Sequence, residues 1–114
     1  MDFSIQVENA ERDIVILRVA GFLDAHTFER LEETISDLFG KGMYKIIVDL
    51  EKVEYISSAG AGVFIGALSE SQENGGNIVL LNPTSNVREV FDLLGLSQIF
   101  NVVDDPKAAM AAFA

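Results

Sequence analysis

Three short apolar runs, DIVILRVA (13–20), KIIVDL (45–50) and NIVLL (77–81), constrain the fold more than anything else in the chain. They are rich in β-branched residues and lie between turn-forming residues, so each reads as a strand. KIIVDL is nearly continuous in apolar character. A strand with one wet face alternates, whereas a continuous run is covered on both faces. Helices must therefore lie against the sheet.

The stretches between the runs supply those helices. Phe28, Leu31, Ile35 and Leu38 recur at helical spacing after Asp24, and Gly40 and Gly42 follow. Asp24 reads as the N-cap, its carboxylate accepting from first-turn N–H groups. A second helix is expected from Ser58 or Ala59 to about Gln72, with Gly75 and Gly76 as the next turn. Val87, Val90, Phe91 and Leu94 mark a third, begun near Thr84, Ser85 and Asn86 and ended by Gly95. Pro106 to Phe113 reads as a fourth, with Pro106 near its first turn. Phe3 to Val7 reads as an edge strand, joined through NAER to the next strand as a hairpin. Gln98 to Val103 reads as a last short strand, and residues 51–57 as a connection with a strand-like end at Val53 to Ile56.

After the hairpin, strands and helices alternate. This predicts an α/β fold: a mostly parallel sheet of four to five strands opened by a β-hairpin, with about four helices. No repeat or linker divides residues 1–114, which read as a single domain.

Composition narrows the function. The chain has no cysteine, which excludes disulfides, thiol nucleophiles and thiolate metal sites. His26 is the only histidine, so neither a histidine-rich metal site nor a serine–histidine–acid set is supported, and no cofactor or catalysis is expected. The net charge of −10 repels nucleic acid and anionic lipid and suits protein partners with neutral or basic patches. The start, MDFSIQVENAERD, does not read as a secretory signal. The most apolar run, Ala59 to Leu68, is too short for a span of about 20 residues, so a cytoplasmic protein without membrane attachment is expected. Nothing demands more than a monomer.

The stretch ISSAGAGVFIG (56–66) carries the densest signal for function. It admits three readings. Gly60, Gly62 and Gly66 have the spacing G-x-G-x-x-x-G, but they stand well after the strand, and no P-loop lysine follows. That leaves a nucleotide cradle weakly supported. Close packing of a helix on the sheet explains the small residues at 59–62, 66 and 67, with Val63, Phe64, Ile65 and Leu68 filling the core. The third reading is phosphorylation. A serine at a helix start is displayed with its backbone held, and the N–H groups of Gly60 and Ala61 would face a phosphate.

The same residues resemble the STAS domain of bacterial anti-sigma factor antagonists. GFLDAHT (21–27) is similar to the family's G-x-L-D motif. IIVDLEKVEYISSAGAGV (46–63) is similar to its strand and phosphoacceptor turn, and VREVFDLLGL (87–96) to its later helix. The resemblance implies partner switching: the unmodified chain binds an anti-sigma factor that is also a serine kinase, phosphorylation releases it, and a serine phosphatase resets it. It implies Ser58 as acceptor. Ser57 stands where the family's common motif has an aspartate, and Ala59 where it has a hydroxyl, so Ser57 is an alternative acceptor. The implied partner contact comprises Asp24, His26, Ser57, Ser58, Ala59, Gly60 and Ala61. A STAS scaffold or transporter-associated subunit that is never phosphorylated is the alternative function.

Asp49 interrupts an apolar strand and is expected at its end, tying down residues 51–57. Lys52 is the basic residue nearest Ser58 in sequence, so no arginine cluster waits to neutralise a phosphate.

Overall fold

The computed structural model describes residues 2–113. β1 (Ser4–Asn9) and β2 (Ile14–Leu23) form an antiparallel hairpin that pairs Ser4 with Ala20 and Asn9 with Val15. There follow α1 (Phe28–Gly40), β3 (Lys45–Ile56), α2 (Ser58–Glu73), β4 (Asn77–Leu81), α3 (Ser85–Leu93), a 3-10 turn (Leu96–Gln98), β5 (Asn101–Val103) and α4 (Pro106–Ala111). The strands lie in the order β1-β2-β3-β4-β5, and each pair after the hairpin is parallel. The expected α/β architecture is present, with five strands.

Because the order advances one strand at a time, right-handed crossovers carry α1, α2 and α3 to the same face. The core follows that rule. Val15, Leu17 and Val19 of β2, Ile46, Val48 and Leu50 of β3, and Ile78 and Leu80 of β4 meet Leu31, Phe64 and Phe91 from the three helices. Phe64 sits edge-on to Phe91 and Phe100, at 6.3 and 6.4 Å between ring centres. The alternate residues Ile14, Ile47, Val79 and Leu81 face the other way and are covered by α4 through Ala109.

α4 has only six residues, so it covers part of that second face. Beyond its reach the face turns polar. Arg18 of β2 donates to Asp49 of β3 at 2.8 Å and to Glu8 of β1 at 3.2 Å. The Glu8 hydrogen bond leads in raising the Arg18 pKa, which burial partly opposes. Asp49 is therefore inside a strand and not at its end. Its Oδ1 accepts the Glu51 N–H at 3.1 Å, but residues 51–56 are strand and need no tether.

Several boundaries differ from the sequence expectation. β3 runs unbroken to Ile56 because it takes up one extra residue at each of two bulges, opposite Arg18–Ala20 and Gly21–Phe22 of β2. From the first bulge onward its buried residues are Leu50, Val53 and Ile56, a three-residue step that hides the strand from an alternation test. β2 likewise passes through Gly21, whose φ of +96° and contact with the Asp2–Phe3 backbone suit glycine, and ends at Leu23. The segment 98–100 is not strand. Leu96 and Phe100 both enter the core, and the Phe100 N–H bonds the Leu96 carbonyl at 3.0 Å, which makes a turn ahead of β5.

Candidate functional site

β2 and β3 end level, with Leu23 paired to Ile56. The next residues on each side, Asp24 and Ser57, therefore emerge together at the carboxyl ends of parallel strands. Open α/β sheets present their binding residues at this edge. No loop separates β3 from α2. Ser57 alone makes the turn, with extended backbone, and its N–H bonds the Leu23 carbonyl at 3.0 Å.

The two serines have different surroundings. Ser57 is the N-cap of α2 and half-buried, and its Oγ accepts the Gly60 N–H at 3.2 Å. Ser58 is the first helical residue and is exposed. Ala59 is half-buried, while Gly60 and Ala61 are buried. The Ala61 N–H bonds the Ser57 carbonyl at 2.9 Å. The expectation that Gly60 and Ala61 offer free donors is thus corrected: both are used within the helix start. The first-turn N–H groups left without an intrahelical partner by helix geometry are those of Ser58 and Ala59.

Gly60 is fixed by its neighbour across the sheet. A Cβ there would lie 2.5 Å from the Leu23 carbonyl oxygen. Gly62 and Gly66 have no such neighbour and are exposed, and Ile65 is 49% exposed, so close packing accounts for Gly60 and Ala61 but not for every small residue. All three glycines lie within α2, whereas a dinucleotide cradle needs glycine in the turn before the helix.

Asp24 makes the bonds of a cap but stands one turn ahead of the helix. α1 starts at Phe28, after Thr27, because β2 extends to Leu23 and residues 24–27 must make a turn. Asp24 Oδ1 accepts the His26 N–H at 2.9 Å, and the Asp24 carbonyl accepts the Phe28 N–H at 2.9 Å. The Thr27 hydroxyl accepts the Asp24 N–H at 3.0 Å and donates to the Phe22 carbonyl at 2.7 Å. These bonds lock the turn. They leave His26 exposed and Asp24 half-buried beside the start of α2.

An exposed aromatic pair stands at the same strand ends. Phe22 and Tyr55 are each 50% exposed and their rings are 5.8 Å apart. Tyr55 escapes the sequence reading because the bulges of β3 replace its alternation with a three-residue step, whereas Phe22 keeps the alternation of β2 between buried Gly21 and Leu23.

No helix among the described residues is long and apolar enough to cross a membrane. The STAS domain family model matches residues 4–109. The anti-sigma F factor antagonist of Lysinibacillus sphaericus is 34% identical over 92 residues, which is 80% of this chain and 79% of that protein. The structure of the anti-sigma factor antagonist SpoIIAA in its unphosphorylated form superposes with a TM-score of 0.82 at 30% identity, covering 94% of this chain and 93% of that one. The Bacillus cell fate determinant SpoIIAA in the phosphorylated form gives a TM-score of 0.76 at 28% identity, covering 97% of this chain and all of the other. With its whole sheet and the Ser57–Ala61 helix start inside the matched region, the chain belongs to the STAS domain family, among the anti-sigma factor antagonists.

Proposed function

We propose that this chain acts by partner switching through Ser58. Unmodified, it binds an anti-sigma factor that is also a serine kinase and so frees a sigma factor in the cytoplasm. Phosphorylation of Ser58 ends the complex, and a serine phosphatase restores the chain, which is monomeric when free. The chain itself contributes binding and no catalysis. One observation carries this reading: of two adjacent hydroxyls, Ser57 is spent on the cap and Ser58 is exposed at the first position of α2.

The electrostatics agree. A phosphate adds about −1.5 to −2 charges. At the start of α2 it would meet the helix dipole and the Ser58 and Ala59 N–H groups, a favourable place worth about 0.3–1 kcal/mol. The fold tolerates the group. A protein docked over Asp24, His26 and the Ser57–Ala61 turn does not, because the charge must be desolvated against a surface whose turn already carries Asp24. That solved structures of SpoIIAA exist in both unphosphorylated and phosphorylated forms supports the comparison.

The test uses the anti-sigma factor kinase encoded by the same genome. Phosphate is mapped by mass spectrometry after incubation with ATP, and binding is measured by calorimetry. Expected are a single phosphate on Ser58, wild-type affinity for Ser58→Ala without modification, and at least about a tenfold loss for Ser58→Asp, equal to about 1.4 kcal/mol. Equal binding by the two variants, or phosphate on Ser57 alone, refutes the reading.

A further inference from the structure

Gly62 and Gly66 of α2 are exposed, and a Cβ added at either meets nothing within 4 Å. Glycine inside a helix is less stable than alanine. Among the described residues no neighbour requires it at these two positions, in contrast to Gly60. Ser58, Gly62 and Gly66 follow one another at four-residue steps, so they share one exposed stripe of α2.

The stripe runs into a groove. Between α1 and α2 lies an open cleft of about 250 Å³ that Gly66 borders. Its floor is apolar: Ile35 and Phe39 from α1 and Val63 from α2. Its rims carry Glu32 from α1 and Glu70 from α2, and among the described residues no basic side chain lines it. The arginine of α1, Arg30, is turned away and stacks over the Phe3 ring at 5.0 Å.

This combination selects an occupant. Two carboxylates beside an apolar floor complement a lysine or arginine, which packs its methylene stem on apolar surface and holds its charge at the rim. A furrow between two helices accepts a third helix, ridge into groove, and a missing Cβ lets the backbone of that helix come close. At about 1.5 Å per residue, Val63 and Gly66 of the groove lie about 7.5 and about 12 Å along the axis from Ser58, within the footprint of one docked protein.

We propose that the α1–α2 groove is a second contact for the protein that docks at Ser58, and that it receives a partner helix presenting a lysine or arginine between Glu32 and Glu70. The inference rests on the antagonist reading and extends its binding surface beyond the phosphorylated turn.

The experiment titrates the purified anti-sigma factor kinase of the same genome against four variants. Gly66→Leu fills the groove mouth. The pair Glu32→Lys and Glu70→Lys reverses its rims. The pair Glu33→Lys and Glu73→Lys makes the same charge change at exposed positions outside the groove. Ser58→Asp reports on the phosphorylated turn. Gly66→Leu is expected to melt at or above the wild-type temperature, since leucine is the better helix former. It and the Glu32/Glu70 pair are expected to bind about tenfold or more weakly, with the Glu33/Glu73 pair within about threefold of wild type. Wild-type binding by Gly66→Leu and by the Glu32/Glu70 pair, alongside loss by Ser58→Asp, overturns the groove and leaves the antagonist reading intact. Equal losses by the two charge-reversed pairs also overturn it, because they reduce the effect to net charge. Failure of the wild-type chain to bind refutes both.

Discussion

At Ser57 and Ser58 a shift of one residue changes a hydroxyl from structural to available. The Ser57 oxygen closes the first turn of α2 through Gly60, and Ser58 is exposed at the same turn. Stability and binding should therefore separate by position. Ser57→Ala removes the cap and should cost about 1 kcal/mol in urea denaturation. Ser58→Asp places a negative charge at the positive end of the helix and should leave stability unchanged or raise it by about 0.3–1 kcal/mol. Gly60→Ala should cost about 1–3 kcal/mol, because its methyl must displace the Leu23 carbonyl or shift the helix. A Gly60→Ala chain as stable as wild type would show that α2 is not seated on the end of β2. The sequence presents Gly60, Gly62 and Gly66 as equals. Only the position of Leu23, 37 residues earlier and set by the β2–β3 pairing, tells them apart.

Among the elements, those bounded by local chemistry were legible and those shaped by tertiary pairing were not. β4 matches its expected limits, Asn77 to Leu81, because glycines precede it and Asn82–Pro83 closes it. The start of α3 at Ser85 follows from Thr84, whose hydroxyl accepts the Val87 N–H. In the sequence β3 reads as two pieces because its bulges exist only opposite β2. Asp24 carries a capping residue type at the right distance from an apolar stripe and makes the capping bonds, yet with β2 extending to Leu23, residues 24–27 form a turn and the helix starts only at Phe28. Hydropathy alone puts Ile65 in the core, but at this turn of α2 the buried residues are Val63 and Phe64, and Ile65 lies round the helix from them. The role of α4 is open to a direct test. Ala109 is fully buried against the second face, whose described core comprises Ile14, Ile47, Val79 and Leu81. Ala109→Asp puts an unpaired carboxylate there and should cost about 3 kcal/mol or more in urea denaturation, with binding of a hydrophobic dye to the uncovered face. A loss below about 1 kcal/mol would mean that α4 contributes little to the fold.

For the whole molecule, charge and architecture act at different ranges. A net charge of −10 attracts a basic partner from a distance, while the strand ends fix where it lands. Raising salt from about 0.1 M to about 1 M shortens the screening length from about 10 Å to about 3 Å. Attraction between the two surfaces is lost over that range, so wild-type affinity for the anti-sigma factor should fall steadily. The penalty of Ser58→Asp has another origin if Ser58 lies inside the contact. There the charge is stripped of water by the partner, and ions do not enter to screen it. The ratio of wild-type to Ser58→Asp affinity should then stay at about tenfold or more across the whole salt range. Calorimetric titrations of both chains at several salt concentrations measure that ratio. Should it collapse towards one in high salt, release would be a matter of repulsion between whole surfaces, and a new charge anywhere on this face would serve as well as one at Ser58. A ratio that holds while both affinities fall places the switch at a contact that excludes water, which is what an exposed hydroxyl at the start of α2, level with the ends of β2 and β3, is positioned to provide.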